Sequence, residues 1–149
     1  MKTFGSFGRV ALVAVAGACG GTHEDTHDAG ARDAGTTSAI ETAGTWESNF
    51  ATTEVITNDR WDLAAIVSFD NVANVAITQT ATDSPYFPGA FNRLVWTEIA
   101  SDRFHYCIAV YGLATRRLAE TSTVVPDATN PDVEGCSTFP WTRLTRVMR

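Results

Sequence analysis

Residues 91–111 read FNRLVWTEIASDRFHYCIAVY, and this stretch decides the fold class. Two runs rich in β-branched and aromatic residues, 91–99 and 103–111, flank the short polar segment Ala100-Ser101-Asp102. Such runs favour strands, and a short polar segment between them favours a hairpin turn. Alternation along the second strand places four large residues on one face, namely Phe104, Tyr106, Ile108 and Val110. The stretch therefore predicts two antiparallel strands.

The same pattern extends outward from this hairpin over residues 44–149. Strand-like runs precede it (GTWESNF, TTEVIT, WDLAAIVSF, VANVAITQT), and one follows it near the C-terminus (WTRLTRV). In residues 61–69, alternation predicts one face made of Trp61, Leu63, Ala65, Val67 and Phe69. LATRRLAET, before the last strand, predicts a short helix. Seven strands are expected, with room for an eighth.

Consecutive hairpins without crossover helices predict an all-β, antiparallel, up-and-down meander. A long meander must protect its edge strands, and closure into a barrel of seven or eight strands does so. A β-sandwich is the alternative. The length of 149 residues suits one folded domain.

Charge excludes one class of partner. The formal net charge is −6, and Lys2 is the single lysine. Nucleic-acid binders need clustered Lys and Arg to neutralise phosphates, whereas the arginines here are scattered. No nucleic-acid partner is therefore expected.

The N-terminus resembles the signal of a bacterial lipoprotein. Lys2 and Arg9 form a positive region, and residues 10–18 are an apolar run too short to span a bilayer. The sequence Ala16-Gly17-Ala18-Cys19 is similar to a lipobox, with Ala16 where leucine is commoner. The resemblance implies cleavage after residue 18 and acyl chains, palmitate among them, on Cys19. An ordinary secretory signal is the alternative.

The lipoprotein resemblance also implies a location. A protein acylated at Cys19 is anchored by its lipid in the bacterial cell envelope. Gly20 stands where an aspartate retains many lipoproteins at the inner membrane, so the outer membrane is expected.

Residues 19–43 are expected to form a flexible tether, because Gly, Ala, Thr and Asp dominate there and Ile40 is the one large apolar residue. His23 and His27 have the spacing of zinc ligands on a helix. The surrounding glycines disfavour a helix, so neither a metal site nor a cofactor is predicted. The folded domain is expected to span 44–149.

With Cys19 assigned to lipid, Cys107 and Cys136 remain. An even pair in an exported chain predicts a disulfide, which would hold the 112–140 segment against the sixth strand. Free buried thiols are the alternative.

Gly44-Thr45-Trp46 and Trp141-Thr142-Arg143 resemble the ends of calycins, the lipocalin and avidin-like barrels. The resemblance implies a barrel whose first-strand Trp46 packs under an arginine of the last strand. Arg143 and Arg146 are the candidates, and Arg143 is favoured because it shares a strand face with the large Trp141. The segments GTW, FDN, HYC and GCSTFPWT also resemble exported bacterial domains of unknown function, which implies a shared fold and no activity.

The sequence has no Gly-x-Ser-x-Gly, phosphate-loop or Rossmann pattern. Residues 23–27 read HEDTH and match His-Glu-x-x-His in letters, but the glycines around them disfavour the helix that this motif requires. His105 is the one histidine in the predicted domain, and its neighbours Ser101 and Asp102 are more simply turn residues. A hydrolase is the least favoured class, and no enzyme is predicted.

Two functional hypotheses follow. In the first, a barrel lined by Trp61, Trp96, Phe104 and Tyr106 binds a small apolar or aromatic ligand; alternatively, these side chains only fill the core. In the second, the loops bind a protein, as in the lipoprotein inhibitors of c-type lysozyme, which are similar in size, anchor and disulfide. The acidic charge then favours a basic protein partner.

Overall fold

The computed structural model of the chain describes residues 39–137 and 140–148. The elements are β1 (Gly44–Ser48), β2 (Thr53–Ile56), β3 (Arg60–Trp61), β4 (Ala64–Asp70), β5 (Val75–Gln79), β6 (Phe91–Trp96), β7 (Arg103–Leu113), α1 (Arg116–Glu120) and β8 (Thr142–Arg146). Each strand pairs antiparallel with the next, and β8 pairs with β1. The predicted antiparallel meander closes into an eight-stranded barrel, and the sandwich alternative is wrong.

One end of the barrel is sealed where β1 meets β8. Trp46 lies directly opposite Arg146 across this pair, and directly opposed side chains lie on the same face of a sheet. The Arg146 guanidinium carbon is 4.2 Å from the centroid of the Trp46 ring, which is cation–π geometry. Arg146 therefore covers Trp46 at this end of the barrel.

The prediction that Arg143 covers Trp46 is wrong. Arg143 lies opposite His105 on the outer face of the β7–β8 pair, and its Nη1 is 3.2 Å from Asp132 Oδ1. The error came from Trp141, which was taken to point inward because it is large. Trp141 is buried, but it lies outside the inner hydrophobic cluster and donates from Nε1 to the Asp127 carbonyl at 2.9 Å.

The folded unit begins before residue 44, so the predicted tether is too long at its C-terminal end. Ile40 and Thr42 are fully buried, and Ile40 belongs to the inner cluster. The Trp46 Nε1 donates to the Thr42 carbonyl at 2.8 Å. Residues 39–43 thus help to seal this end of the barrel. Residues 1–38, with the predicted signal peptide, Cys19, His23 and His27, lie outside the described residues.

The expected single strand over 61–69 is two strands. Asp62 has φ +50°, a conformation that Asp adopts more readily than most residues, and the turn there separates β3 from β4. Leu63 is 84% exposed. A bulge between Ile66 and Ser68 shifts the register again. Of the predicted face, Trp61 and Phe69 therefore contact the core, and Ile66 joins them in place of Leu63, Ala65 and Val67. Alternation predicts a face only within one uninterrupted strand.

The disulfide and the short helix are confirmed. Cys107 and Cys136 are bonded, which holds the long β7–β8 connection against the outer face of β7. Helix α1 begins after Thr115, whose hydroxyl caps the Leu118 amide. The helix lies against β6 and β7. Both features therefore belong to the connection between β7 and β8.

Candidate functional site

The four aromatic residues predicted to bind a ligand lie together inside the barrel. The Trp61 ring centroid is 5.9 Å from that of Trp96, 6.3 Å from that of Phe104 and 5.1 Å from that of Tyr106. Trp61, Trp96 and Phe104 are almost fully buried in the inner cluster. Most of this set therefore fills the core, and Trp61 and Tyr106 are the two members that line a cavity.

That cavity lies at the end of the barrel opposite Arg146. The β1–β2, β3–β4, β5–β6 and β7–β8 connections surround this open end, since consecutive antiparallel strands reverse direction. The cavity has a volume of about 260 Å³. Its polar lining residues are Glu54, Asp62, Thr78, Thr80, Asn92 and Tyr106, and its large apolar ones are Trp61, Leu63, Leu94 and Ile108.

Glu54 is the buried charge of this site. It shares the inward face of β2 with Ile56, two residues further on, and is 8% exposed. Its Oε1 accepts from the Tyr106 hydroxyl at 3.0 Å, and its Oε2 accepts from the Trp61 Nε1 at 3.3 Å. Among residues 39–137 and 140–148, Glu54 takes part in none of the ion pairs, which join Arg116, Arg143, Arg146 and His105 to other acids.

Burial raises the pKa of the Glu54 carboxyl above its ordinary value of 4.5. The hydrogen bonds from Tyr106 and Trp61 lower the pKa in part, and the nearby negative charge of Asp62 raises it. Burial, and then the charge of Glu54, raise the pKa of the Tyr106 hydroxyl far above its usual range. Tyr106 therefore stays protonated and donates to Glu54 throughout the physiological range of pH.

The opposite wall of the cavity is polar and neutral. Asn92 Nδ2 donates to the Thr80 hydroxyl at 3.1 Å and lies 3.5 Å from that of Thr78. The Asn92 Oδ1 accepts from the Gly112 amide at 3.0 Å. This network fixes the Asn92 amide. It uses at most one of the two lone pairs of each threonine hydroxyl, so Thr78 and Thr80 keep acceptor capacity in the cavity lining.

Sequence reasoning missed Glu54. A charged residue two positions from an inward isoleucine is the signal that could have found it. Val55 obscured that signal, because the apolar pair Val55-Ile56 leaves the inward face of the strand undecided. Only the pairing of Trp46 with Glu54 across β1 and β2 fixes the face.

Apolar side chains surround the open end. Exposed large side chains there include Phe50, Leu63, Tyr86, Phe87, Ile108 and Tyr111. A depression of about 460 Å³ adjoins the cavity at Tyr106 and Ile108, and another of about 370 Å³ adjoins it at Leu63 and Thr80. A ligand in the cavity could extend over either one.

A larger depression of about 620 Å³ lies along β4 near the sealed end, lined by Asn58 and residues 66–72. Its one charged residue, Asp70, is exposed and accepts hydrogen bonds from the Val72 and Ala73 amides of its own turn. The larger space thus has fewer converging polar groups than the cavity at Glu54, and we regard it as a surface groove.

His105 lies on the outer surface of the barrel, where its side chain contacts Asp132. Its Nε2 lies 3.1 Å from Asp132 Oδ1, and Asp132 also pairs with Arg143. Asp102, its neighbour in the hairpin, pairs instead with Arg146 at 3.4 Å. The contacts of Asp132 with His105 and Arg143 attach the 127–136 part of the β7–β8 connection to the barrel and stabilise its position.

Over residues 39–137 and 140–148, His, Cys, Asp and Glu side chains do not form a group of three that could hold a metal ion. In the same ranges, no helix has the length and apolarity to cross a membrane.

Comparison of the chain with protein-family models, with curated proteins and with solved structures gives no match.

Proposed function

We propose that this protein is a binding module of the bacterial cell envelope that holds a small aromatic or apolar molecule at the open end of its barrel. The observation that carries the proposal is the cavity over Glu54, Trp61 and Tyr106, in a barrel whose other end is sealed. Mostly apolar pockets with a few converging polar groups are typical ligand sites.

The size of the cavity limits the ligand. Its volume of about 260 Å³ is just below the roughly 300–1,000 Å³ of pockets that enclose drug-sized ligands. The packed rings of Trp46, Phe104 and Trp96 leave no room to extend it toward the sealed end. We therefore propose a ligand of about one ring with a short substituent.

Filling the cavity should abolish ligand binding. Ala64 lies opposite the inward Trp61 and lines the cavity, whereas Ala65 is exposed on the outer face. In a screen of cationic, neutral and anionic one-ring compounds against the purified full-length protein, some should bind and shift the NMR signal of the Trp61 indole N–H. We expect Ala64→Phe to remove these shifts.

The matched control is Ala65→Phe, which adds the same ring outside the barrel and should leave fragment binding unchanged. If no fragment shifts the Trp61 signal at millimolar concentration, or if Ala64→Phe binds as the parent does, the cavity is not a ligand site.

The proposed anchor is acylation of Cys19, for which the lipobox resemblance is the support. We expect the N-terminal peptide of the mature protein to begin at Cys19 and to carry the mass of its acyl chains. Cys19→Ala should move the protein from the membrane fraction to the soluble periplasmic fraction, since no acyl chain then inserts into the bilayer. An unmodified Cys19 in membrane-extracted protein would contradict the anchor.

A second candidate is recognition of a protein by the loops of the open end. It is favoured by the exposed aromatic side chains there, with Tyr86 76% and Tyr111 64% exposed, because such residues are enriched in interfaces. The acidic net charge would suit a basic partner, as for a lysozyme-inhibitor-like protein. Binding of this kind would survive Ala64→Phe and be lost in Tyr86→Ala with Tyr111→Ala.

A further inference from the structure

We infer that the cavity at the open end binds a small organic cation, a protonated amine with a one-ring or short apolar body, and that Glu54 is its counter-ion. The inference rests on the proposed function and names the chemical class of its ligand.

The first argument is the charge balance of the site. Both Glu54 oxygens accept from uncharged donors, Tyr106 and Trp61. The one charged side chain among the causes that shift the Glu54 pKa is Asp62, which is also acidic. A buried carboxylate without a cationic partner is costly. A cationic ligand would supply the partner that the described part of the chain does not.

The second argument is the arrangement of the donors and acceptors. A carboxylate has about four lone-pair positions, and Tyr106 and Trp61 use two of those of Glu54. The free positions, with the hydroxyl oxygens of Thr78 and Thr80, make the cavity rich in acceptors. An ammonium group brings three donors and no acceptor, which matches this lining.

The third argument concerns the rings. Trp61 and Tyr106 lie beside Glu54 with their centroids 5.1 Å apart and their planes inclined at 55°. The faces of such rings attract cations, tryptophan most strongly. Leu63, Leu94 and Ile108 complete the wall and can contact the apolar body of the ligand.

The lining also disfavours anions. None of the described residues that line the cavity is Arg, Lys or His, and two of them, Glu54 and Asp62, are acidic. An anionic ligand would meet repulsion without compensation. A neutral ligand would leave the Glu54 charge unpaired, so it would gain less from binding than a cation.

The test compares benzylamine with benzyl alcohol, which have the same ring and nearly the same shape but differ in charge at neutral pH. Titrated into the purified full-length protein, with the Trp61 indole N–H signal as the measure, benzylamine should bind at least about tenfold more tightly, as charge-assisted hydrogen bonds do relative to neutral ones. Glu54→Gln should abolish this preference by weakening the binding of benzylamine.

Glu47→Gln is the matched control, because Glu47 is exposed on the outer face of β1 and its loss changes the net charge equally. The preference for benzylamine should persist in this variant. If Glu54→Gln and Glu47→Gln weaken benzylamine binding equally, general electrostatic attraction accounts for the preference and the inference is overturned.

The melting temperature of Glu54→Gln distinguishes a counter-ion from a residue that stabilises the barrel. A neutral glutamine carries no charge to desolvate, and its oxygen can accept from Trp61 while Tyr106 accepts from its amide. We therefore expect the ligand-free Glu54→Gln protein to melt at a higher temperature than the parent at pH 7.5. A lower melting temperature would assign the carboxylate to the stability of the barrel and overturn its role as an unpaired counter-ion.

The parent protein provides a test without any substitution. Tyr106 from β7 and Trp61 from β3 donate to Glu54, and the charge of Asp62 in the β3–β4 turn acts on it. The neutral Thr78 and Asn92 of β5 and β6 line the same cavity. As the pH falls through the raised pKa of Glu54, its charge is lost and benzylamine should bind more weakly, while benzyl alcohol should not. Equal affinities of the two compounds at pH 7.5, with binding still blocked by Ala64→Phe, would overturn the cation inference and leave the proposed function standing.

Discussion

Replacing Trp46 with alanine should lower the free energy of unfolding by about 3–5 kcal/mol, the range for large aromatic side chains removed from a core. Trp46 is fully buried, and its ring packs edge-on against Phe104 with centroids 4.7 Å apart. The substitution also leaves the Thr42 carbonyl without its Nε1 donor and Arg146 without the ring it covers. Urea denaturation of the full-length protein measures the loss. A loss below about 1 kcal/mol would contradict the role of Trp46 as the central residue of the sealed end.

The two arginines of β8 form a matched pair for this prediction. Arg146→Ala should cost about 1–2 kcal/mol, because it removes a partly desolvated contact with the Trp46 ring. Arg143→Ala should cost about 0–1 kcal/mol, since it removes a solvent-exposed ion pair with Asp132. In a double-mutant cycle, coupling to Trp46 should appear for Arg146 and not for Arg143.

The packing around Gly44 explains why a glycine stands two residues before Trp46. Its φ is +150°, and a Cβ built on it would lie 2.7 Å from Nη1 of Arg146. Any side chain at position 44 would therefore push the guanidinium away from the Trp46 ring. The Gly-x-Trp pattern of the sequence thus corresponds to a packing requirement at the sealed end.

The hairpins were predictable because their signals are local. In residues 91–111, the strands and the turn lie within a short stretch, so strand propensity and polar turn residues suffice. Closure of the barrel followed from the need to protect edge strands. The disulfide followed from the pair of cysteines that remains once Cys19 is assigned to lipid, an argument that involves no geometry.

Features that depend on distant packing were not predictable. Alternation places Arg143 with Trp141 and Arg146 with Leu144, but it does not say which face is inside. The answer depends on the 127–136 connection, which buries Trp141 from outside the barrel. Ile40 was missed for a related reason: a single apolar residue in a polar stretch carries no periodicity, although it is buried in the core.

Replacing both Cys107 and Cys136 with alanine should lower the free energy of unfolding by about 2–5 kcal/mol, the usual cost of losing a native disulfide. The bond joins residues 29 positions apart, so its loss frees a long loop of the unfolded chain. Urea denaturation of the parent, with and without reductant, should show the same loss as the double variant. Reductant should not change the stability of the double variant, which serves as the control.

The disulfide lies outside the barrel, away from the inner cluster. Cys136 belongs to the connection that covers the outer face of β7, whereas the inner cluster around Trp46 and Phe104 lies on the opposite face. The reduced protein should therefore keep the closed barrel in the absence of urea, with Trp46 still buried, and should lose protection from hydrogen exchange and proteolysis first in the 127–136 segment. Alkylation of both cysteines without reductant would contradict the disulfide, and collapse of the near-ultraviolet circular dichroism on reduction would contradict this independence of the barrel.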